Sequence, residues 1–163
     1  MPNHLSSLGI IHTIISILAI IVAFIALARD GKIIPRNGLG RGYIVLTVLT
    51  CLTSFGIMKT GHFTPAHTLS VLVLILLPIA IYARSIKFLG TAGEKVETII
   101  MTATLFLSFI PAVTETLTRL PLSGPIAINQ DAPIIKMILL GLLVIFTIGT
   151  FYQVRKLRKP LQV

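Results

Sequence analysis

Apolar residues in this chain come in runs of about twenty, without the alternation of a half-buried strand or the 3.6-residue stripe of a water-facing helix. A hydrocarbon core about 30 Å thick needs about 20 apolar helical residues, and only closed hydrogen-bonded structures satisfy their backbones there. Five stretches reach or approach that length: Leu8 to Ala28, Tyr43 to Met58, Pro65 to Ala83, Val96 to Leu117 and Pro133 to Tyr152. The pattern predicts one all-α domain over residues 1–163, an integral membrane bundle of five transmembrane helices.

Local signals refine the ends of these spans. Thr64 before Pro65 is an N-cap followed by proline at the first helical position, where its missing N–H costs nothing. Thr91 and Glu94 have the spacing of a capping box, which predicts that helix four opens at the membrane surface. Asp131 is expected to cap helix five. Pro78 and Pro111 remove backbone donors inside spans three and four, which predicts bends that open a cavity. Thr47, Thr50, Cys51, Thr53 and Ser54 place span two in the bundle interior, and helix packing accounts for them as it does for Gly141 and Gly149. In span four, Glu115 reads as the buried acid. Ala26-Leu27-Ala28 imitates a signal-peptide cleavage site, but Met1 to Ser7 holds no Lys or Arg, so the first run is kept as a helix.

Composition closes off other classes. With 55% hydrophobic residues, 12% charged residues, no Trp and a mean hydropathy of +0.97, a water-soluble domain is excluded. Cys51 is the only cysteine, so there is no disulfide framework, and no internal repeat aligns that would suggest an inverted-repeat transporter. The net charge of +9 would raise nucleic acid as a partner in a soluble protein. Here the cations lie between spans. Arg29, Lys32, Arg36, Arg41, Arg84, Lys87, Lys95, Arg155, Lys156, Arg158 and Lys159 fall on one side, against Lys59, Arg119 and Lys136 on the other. Because cytoplasmic loops retain Lys and Arg during insertion, this split predicts five crossings with the N-terminus outside and the C-terminus in the cytoplasm. The basic loops then face anionic headgroups of the lipid bilayer, and no nucleic-acid role is needed.

With that topology all four histidines, His4, His12, His62 and His67, fall at the outer side. His12 lies about one turn inside span one, His67 in the first turn of span three and Glu115 near the outer end of span four. At 1.5 Å per residue their depths agree within about 5 Å. A helix N-terminus disfavours imidazolium, so His67 is expected as a neutral imidazole, the form a metal takes as ligand. Glu115 is costly at this depth unless paired, and Arg119 one turn later is its nearest candidate. His12, His67 and Glu115, with His62, form a candidate site for a transition metal, zinc or copper, and His12 with His67 would alternatively hold one haem b. Against this stand plainer readings: a Glu115–Arg119 salt bridge, an interfacial His12 bonded to a neighbouring helix, and solvated His4 and His62.

No C-x-x-C-H, H-E-x-x-H, G-x-S-x-G or P-loop is present, so those chemistries are not expected. Three function classes remain: a metal or single-haem protein for redox or metal handling, an accessory or assembly subunit joined to a membrane-protein partner or to its own copies, and an oligomeric transporter or channel. The third ranks last because the middle of the membrane offers mostly Thr and Ser.

Gly38-Leu39-Gly40-Arg41-Gly42-Tyr43 entering span two, preceded by His12 in span one, resembles a group of uncharacterised bacterial multi-helix inner-membrane proteins with domains of unknown function. Glu115-Thr116-Leu117-Thr118-Arg119-Leu120-Pro121 is similar to a phrase found in hypothetical membrane proteins. The resemblance implies a bacterial inner membrane and no particular activity.

Overall fold

The computed structural model describes residues 6–57, 64–120 and 124–157, and these form an all-helical protein with no strand among the described residues. Five helices are long and apolar enough to cross a membrane. Helix α1 spans Ser7–Asp30, α2 Gly38–Phe55, α3 Pro65–Tyr82, α4 Gly93–Arg119 and α5 Pro133–Lys156. Two short 3-10 turns, Ala83–Ser85 and Lys87–Ala92, join α3 to α4.

The helix ends follow from side chains that satisfy orphaned backbone groups. The Ser6 hydroxyl accepts the Gly9 N–H at 3.1 Å, and Gly31, at φ 72°, closes α1 with its N–H on the Leu27 carbonyl. Asn37 accepts the Gly40 N–H at 2.8 Å, so α2 begins five residues before Tyr43, earlier than the apolar run alone predicts. It ends at Phe55, and Met58 lies outside the described residues. Thr64 precedes α3 with Pro65 at the first position, as expected.

Two expected caps are corrected. Ala92, not Thr91, precedes α4 and makes no side-chain cap; Glu94 instead pairs with Lys32 at 2.6 Å and Arg84 at 3.0 Å. Two cations outcompete the single backbone N–H that a capping box would offer that carboxylate. Likewise Ala132 precedes α5, and Asp131 stands exposed 3.9 Å from Lys136.

Packing uses small residues where backbones meet. On α1 the buried positions are Gly9, Ala19, Ala23 and Ala26, one face of the helix, which lies against α2. Ile10, Ile14, Ile17, Ile21 and Phe24 are exposed and suited to lipid. The core is completed by Tyr43 and Cys51 of α2, Val73, Leu77 and Ala80 of α3, and Met101 and Leu105 of α4. Helix α4 is central: it contacts α1, α3 and α5, and its Thr104 is bonded to Tyr43 of α2 at 3.0 Å. Helix α5 is peripheral, with Ile135 its one buried residue among those described. Phe146 packs on Phe106 and Phe109, and Gln153 accepts from Thr102 at 2.8 Å while donating to the Gly31 carbonyl at 3.0 Å.

Pro78 and Pro111 lie inside α3 and α4. Two open grooves flank the Pro111 turn. One, of about 570 Å³, is lined by Thr64, Pro65, Thr68, Leu69 and Ile110; the other, of about 260 Å³, is lined by Phe109, Ala112, Val113, Thr116, Leu117 and Ile138.

Candidate functional site

The charges of the bundle separate into two ends. At the basic end, where α1, α3 and α5 finish and α2 and α4 begin, Glu97 is 1% exposed and holds two guanidinium groups. Arg36, from the α1–α2 connection, pairs with it and also donates to the Ile81 carbonyl of α3 at 3.0 Å. Arg84, after α3, pairs with it at 2.9 Å and reaches Glu94 as well. A buried carboxylate thus ties together the start of α4, the end of α3 and the loop before α2. The buried acid of span four is therefore Glu97, not Glu115. Its position beside the span's hydrophilic end makes it look like an ordinary surface charge in sequence, and only the fold brings Arg36 to it from 61 positions away.

Between the ends lie buried hydroxyls, and their donors run out locally. Thr104 gives its proton to the Met101 carbonyl at 2.8 Å, so it must accept from the Tyr43 hydroxyl. The Ser54 and Ser70 hydroxyls lie 2.8 Å apart across α2 and α3, and each also reaches a carbonyl of its own helix, Cys51 at 2.7 Å and Ala66 at 3.2 Å. Each short chain ends on a helix carbonyl. Such groups bind helices together.

At the opposite end stand the sequence-predicted site residues. His4 and His62 lie outside the described residues. His12, one turn and a half into α1, places Nδ1 3.0 Å from the Thr53 hydroxyl of α2. That hydroxyl spends its single proton on the Leu49 and Thr50 carbonyls, at 2.8 and 3.0 Å. Both carbonyl bonds of Thr53 are kept when His12 Nδ1 carries the ring proton and donates to it, and the ring is assigned that tautomer. In the neutral ring Nε2 is then the nitrogen with a lone pair.

The His67 ring takes the opposite assignment. Its Nδ1 accepts the Thr64 backbone N–H at 3.0 Å and lies 2.8 Å from the Thr64 hydroxyl, closing a capping box in which histidine replaces the usual Glu or Gln. In the neutral ring the proton then sits on Nε2. The ring is buried and stacks on Phe55 at 6.0 Å between centroids. Using Nε2 as a ligand would require moving that proton to Nδ1 and breaking the cap.

Glu115 forms the expected ion pair with Arg119 one turn later, and it also interacts electrostatically with His12 across the α1–α4 contact. The fold pairs Glu115 with Arg119 on its own helix, sets His12 against Thr53 of α2, and assigns His67 to starting α3. Among the described residues no three His, Cys, Asp or Glu side chains gather as a metal-holding group. The donor set the described residues offer is one imidazole and one carboxylate. The Thr53 contribution was hidden in sequence because Thr53 reads as one of five interchangeable small residues of span two; its separation of 41 positions from His12 carries no periodic signal.

No protein-family model, no curated protein and no solved structure matches this chain.

Proposed function

We propose that this is a multi-pass protein of a bacterial inner membrane, N-terminus outside and C-terminus in the cytoplasm, that holds a transition-metal ion at its outer level through His12 Nε2 and the Glu115 carboxylate. The observation that carries this reading is the fixed ring of His12. Metal-binding histidines ordinarily donate their second ring N–H to an acceptor that sets tautomer and orientation, and Thr53 is such an acceptor. An imidazole nitrogen and a carboxylate are ligands that suit zinc or copper, with water filling the remaining positions. The orientation is supported by the gathering of Lys32, Arg36, Arg84, Lys87, Lys95, Arg155 and Lys156 at the end opposite His12. The bacterial assignment is supported by the Gly38–Tyr43 and Glu115–Pro121 segments.

Protein purified from metal-replete and haem-replete cells is expected to carry stoichiometric zinc or copper by elemental analysis. His12→Ala is expected to lose it while remaining folded, since the ring is only half-buried and its hydrogen bonds reach only Thr53 and the Thr50 backbone of α2. A Soret band lost in the same variant would instead identify one haem with His12 as axial ligand. Wild-type protein with neither metal nor haem contradicts the reading.

A second reading, an accessory subunit, is favoured by α5. Among the described helices only α4 packs along α5, and a methyl added at Gly141 or Gly149 would meet nothing within 4 Å, leaving flat positions where another transmembrane helix fits closely. A persistent, metal-free assembly in native mass measurements would favour it over the metal site.

A further inference from the structure

The connection between α3 and α4 turns its apolar side chains outward. Helix α3 has 18 residues, a length of about 27 Å, so a chain that enters a hydrocarbon core of about 30 Å near Pro65 leaves it near Tyr82. In the turn that follows, the Leu89 N–H bonds the Ile86 carbonyl at 3.0 Å, and Gly90 at φ 46° bends the chain back toward α4. Phe88 on this turn is 96% exposed, and Ile86 beside it is exposed as well. A phenyl ring so placed is costly in water and suits the boundary between headgroups and acyl chains.

Two further features of this end agree. The exposed aromatics Tyr82, Phe88, Phe151 and Tyr152 all lie there, whereas the opposite end exposes none among the described residues. After Glu94 and Glu97 have taken Lys32, Arg36 and Arg84, the exposed Arg41, Lys87, Arg155 and Lys156 are left without a carboxylate partner among the described residues. We propose that the α3–α4 connection is an anchor for anionic lipid: Phe88 enters the acyl boundary of the adjoining leaflet while Lys87, its neighbour in the chain, holds a headgroup phosphate. The ring supplies apolar burial, and the unpaired cations complement the negative surface of such a leaflet. This inference makes no use of the metal reading and stands or falls separately from it.

The chain has no Trp, so Phe88→Trp places a single fluorophore on the turn, and the exposure of Phe88 keeps the substitution clear of the core. The full-length variant is to be reconstituted in mixed vesicles of phosphatidylcholine and phosphatidylglycerol, with bromine near the top of the acyl chains of one lipid or of the other. Both lipids are expected to quench it, brominated phosphatidylglycerol about twofold to fivefold more strongly at matched mole fraction, the range one surface cation supports. High salt and Lys87→Gln should each bring the two lipids toward equality. Ile128→Trp serves as control: Ile128 is equally exposed in the α4–α5 connection, but no Lys or Arg stands between Arg119 and Lys136, so no preference is expected there. Equal quenching of Phe88→Trp by the two lipids overturns the anionic partner. A preference shared by Ile128→Trp, or unmoved by Lys87→Gln, overturns the role of Lys87. A fluorophore that neither lipid quenches overturns the anchor, whether iodide reaches it, as in an aqueous loop, or does not, as under another protein chain.

Discussion

Removing both arginines at the basic end, in Arg36→Ala/Arg84→Ala, is expected to cost the bundle about 3–5 kcal/mol, more than removing the glutamate they share. The asymmetry follows from burial. Glu97 is 1% exposed, whereas the Arg36 and Arg84 side chains are 45% and 36% exposed. In Glu97→Ala the surviving guanidinium groups turn to solvent and lipid headgroups, and Arg84 retains Glu94. The loss there is that of charge-assisted hydrogen bonds, about 1–3 kcal/mol. In the double variant the survivor is a carboxylate sealed among α3 and α4. It must either remain charged without a partner or take up a proton, and protonation limits the cost without removing it. Thermal unfolding in a fixed detergent should rank wild type above Glu97→Ala, and Glu97→Ala above the double variant. The reverse order would mean that Glu97 is not the buried member of the cluster.

Gly40→Ala should be the most damaging of the glycine substitutions at the start of α2. An added methyl there would run directly into the Ile34 carbonyl and lie 3.1 Å from the Pro35 nitrogen, both backbone atoms held by the turn before the helix. Backbone cannot swing aside as a side-chain tip can. The turn would have to open, releasing the Asn37 cap and the approach of Arg36 to Glu97. A loss of about 3 kcal/mol or more, seen as poor recovery of folded protein, is expected. Its neighbours make internal controls. Gly38 has nothing within 4 Å of an added methyl and Gly42 only the Val22 side chain at 3.7 Å. Alanine at either should be neutral or stabilising by about 0.5–1 kcal/mol, the helix-interior preference for alanine over glycine. Equal effects at all three positions would remove the close approach as their cause.

The five membrane-length helices were legible because the physics of a spanning segment is local: length, apolarity and a terminal signal such as Thr64-Pro65 suffice. What was not legible depended on partners distant in the chain. Glu94 matched a capping box three residues after Thr91, yet Lys32, 62 positions earlier, takes its carboxylate. His67 was read as a ligand from its helix-start position, and the same position gave it a capping role that ties up Nδ1. Glu115 with Arg119 was readable at helical spacing, but the Thr53 hydroxyl that orients His12 became visible only once α1 lay against α2. Spacing within one helix can be read directly, whereas selection among competing partners on different helices requires the packed bundle.

The orientation of the bundle decides whether the His12 level faces away from the cytosol, and labelling of the chain ends measures it directly. In a Cys51→Ala background, Asn3→Cys and Gln162→Cys are to be treated separately with a membrane-impermeant maleimide on intact cells and after lysis. The expected result is modification of the Asn3→Cys protein in intact cells and of the Gln162→Cys protein only after lysis. Modification of both in the same compartment, or the reverse pattern, would contradict the outer placement of His12 and Glu115.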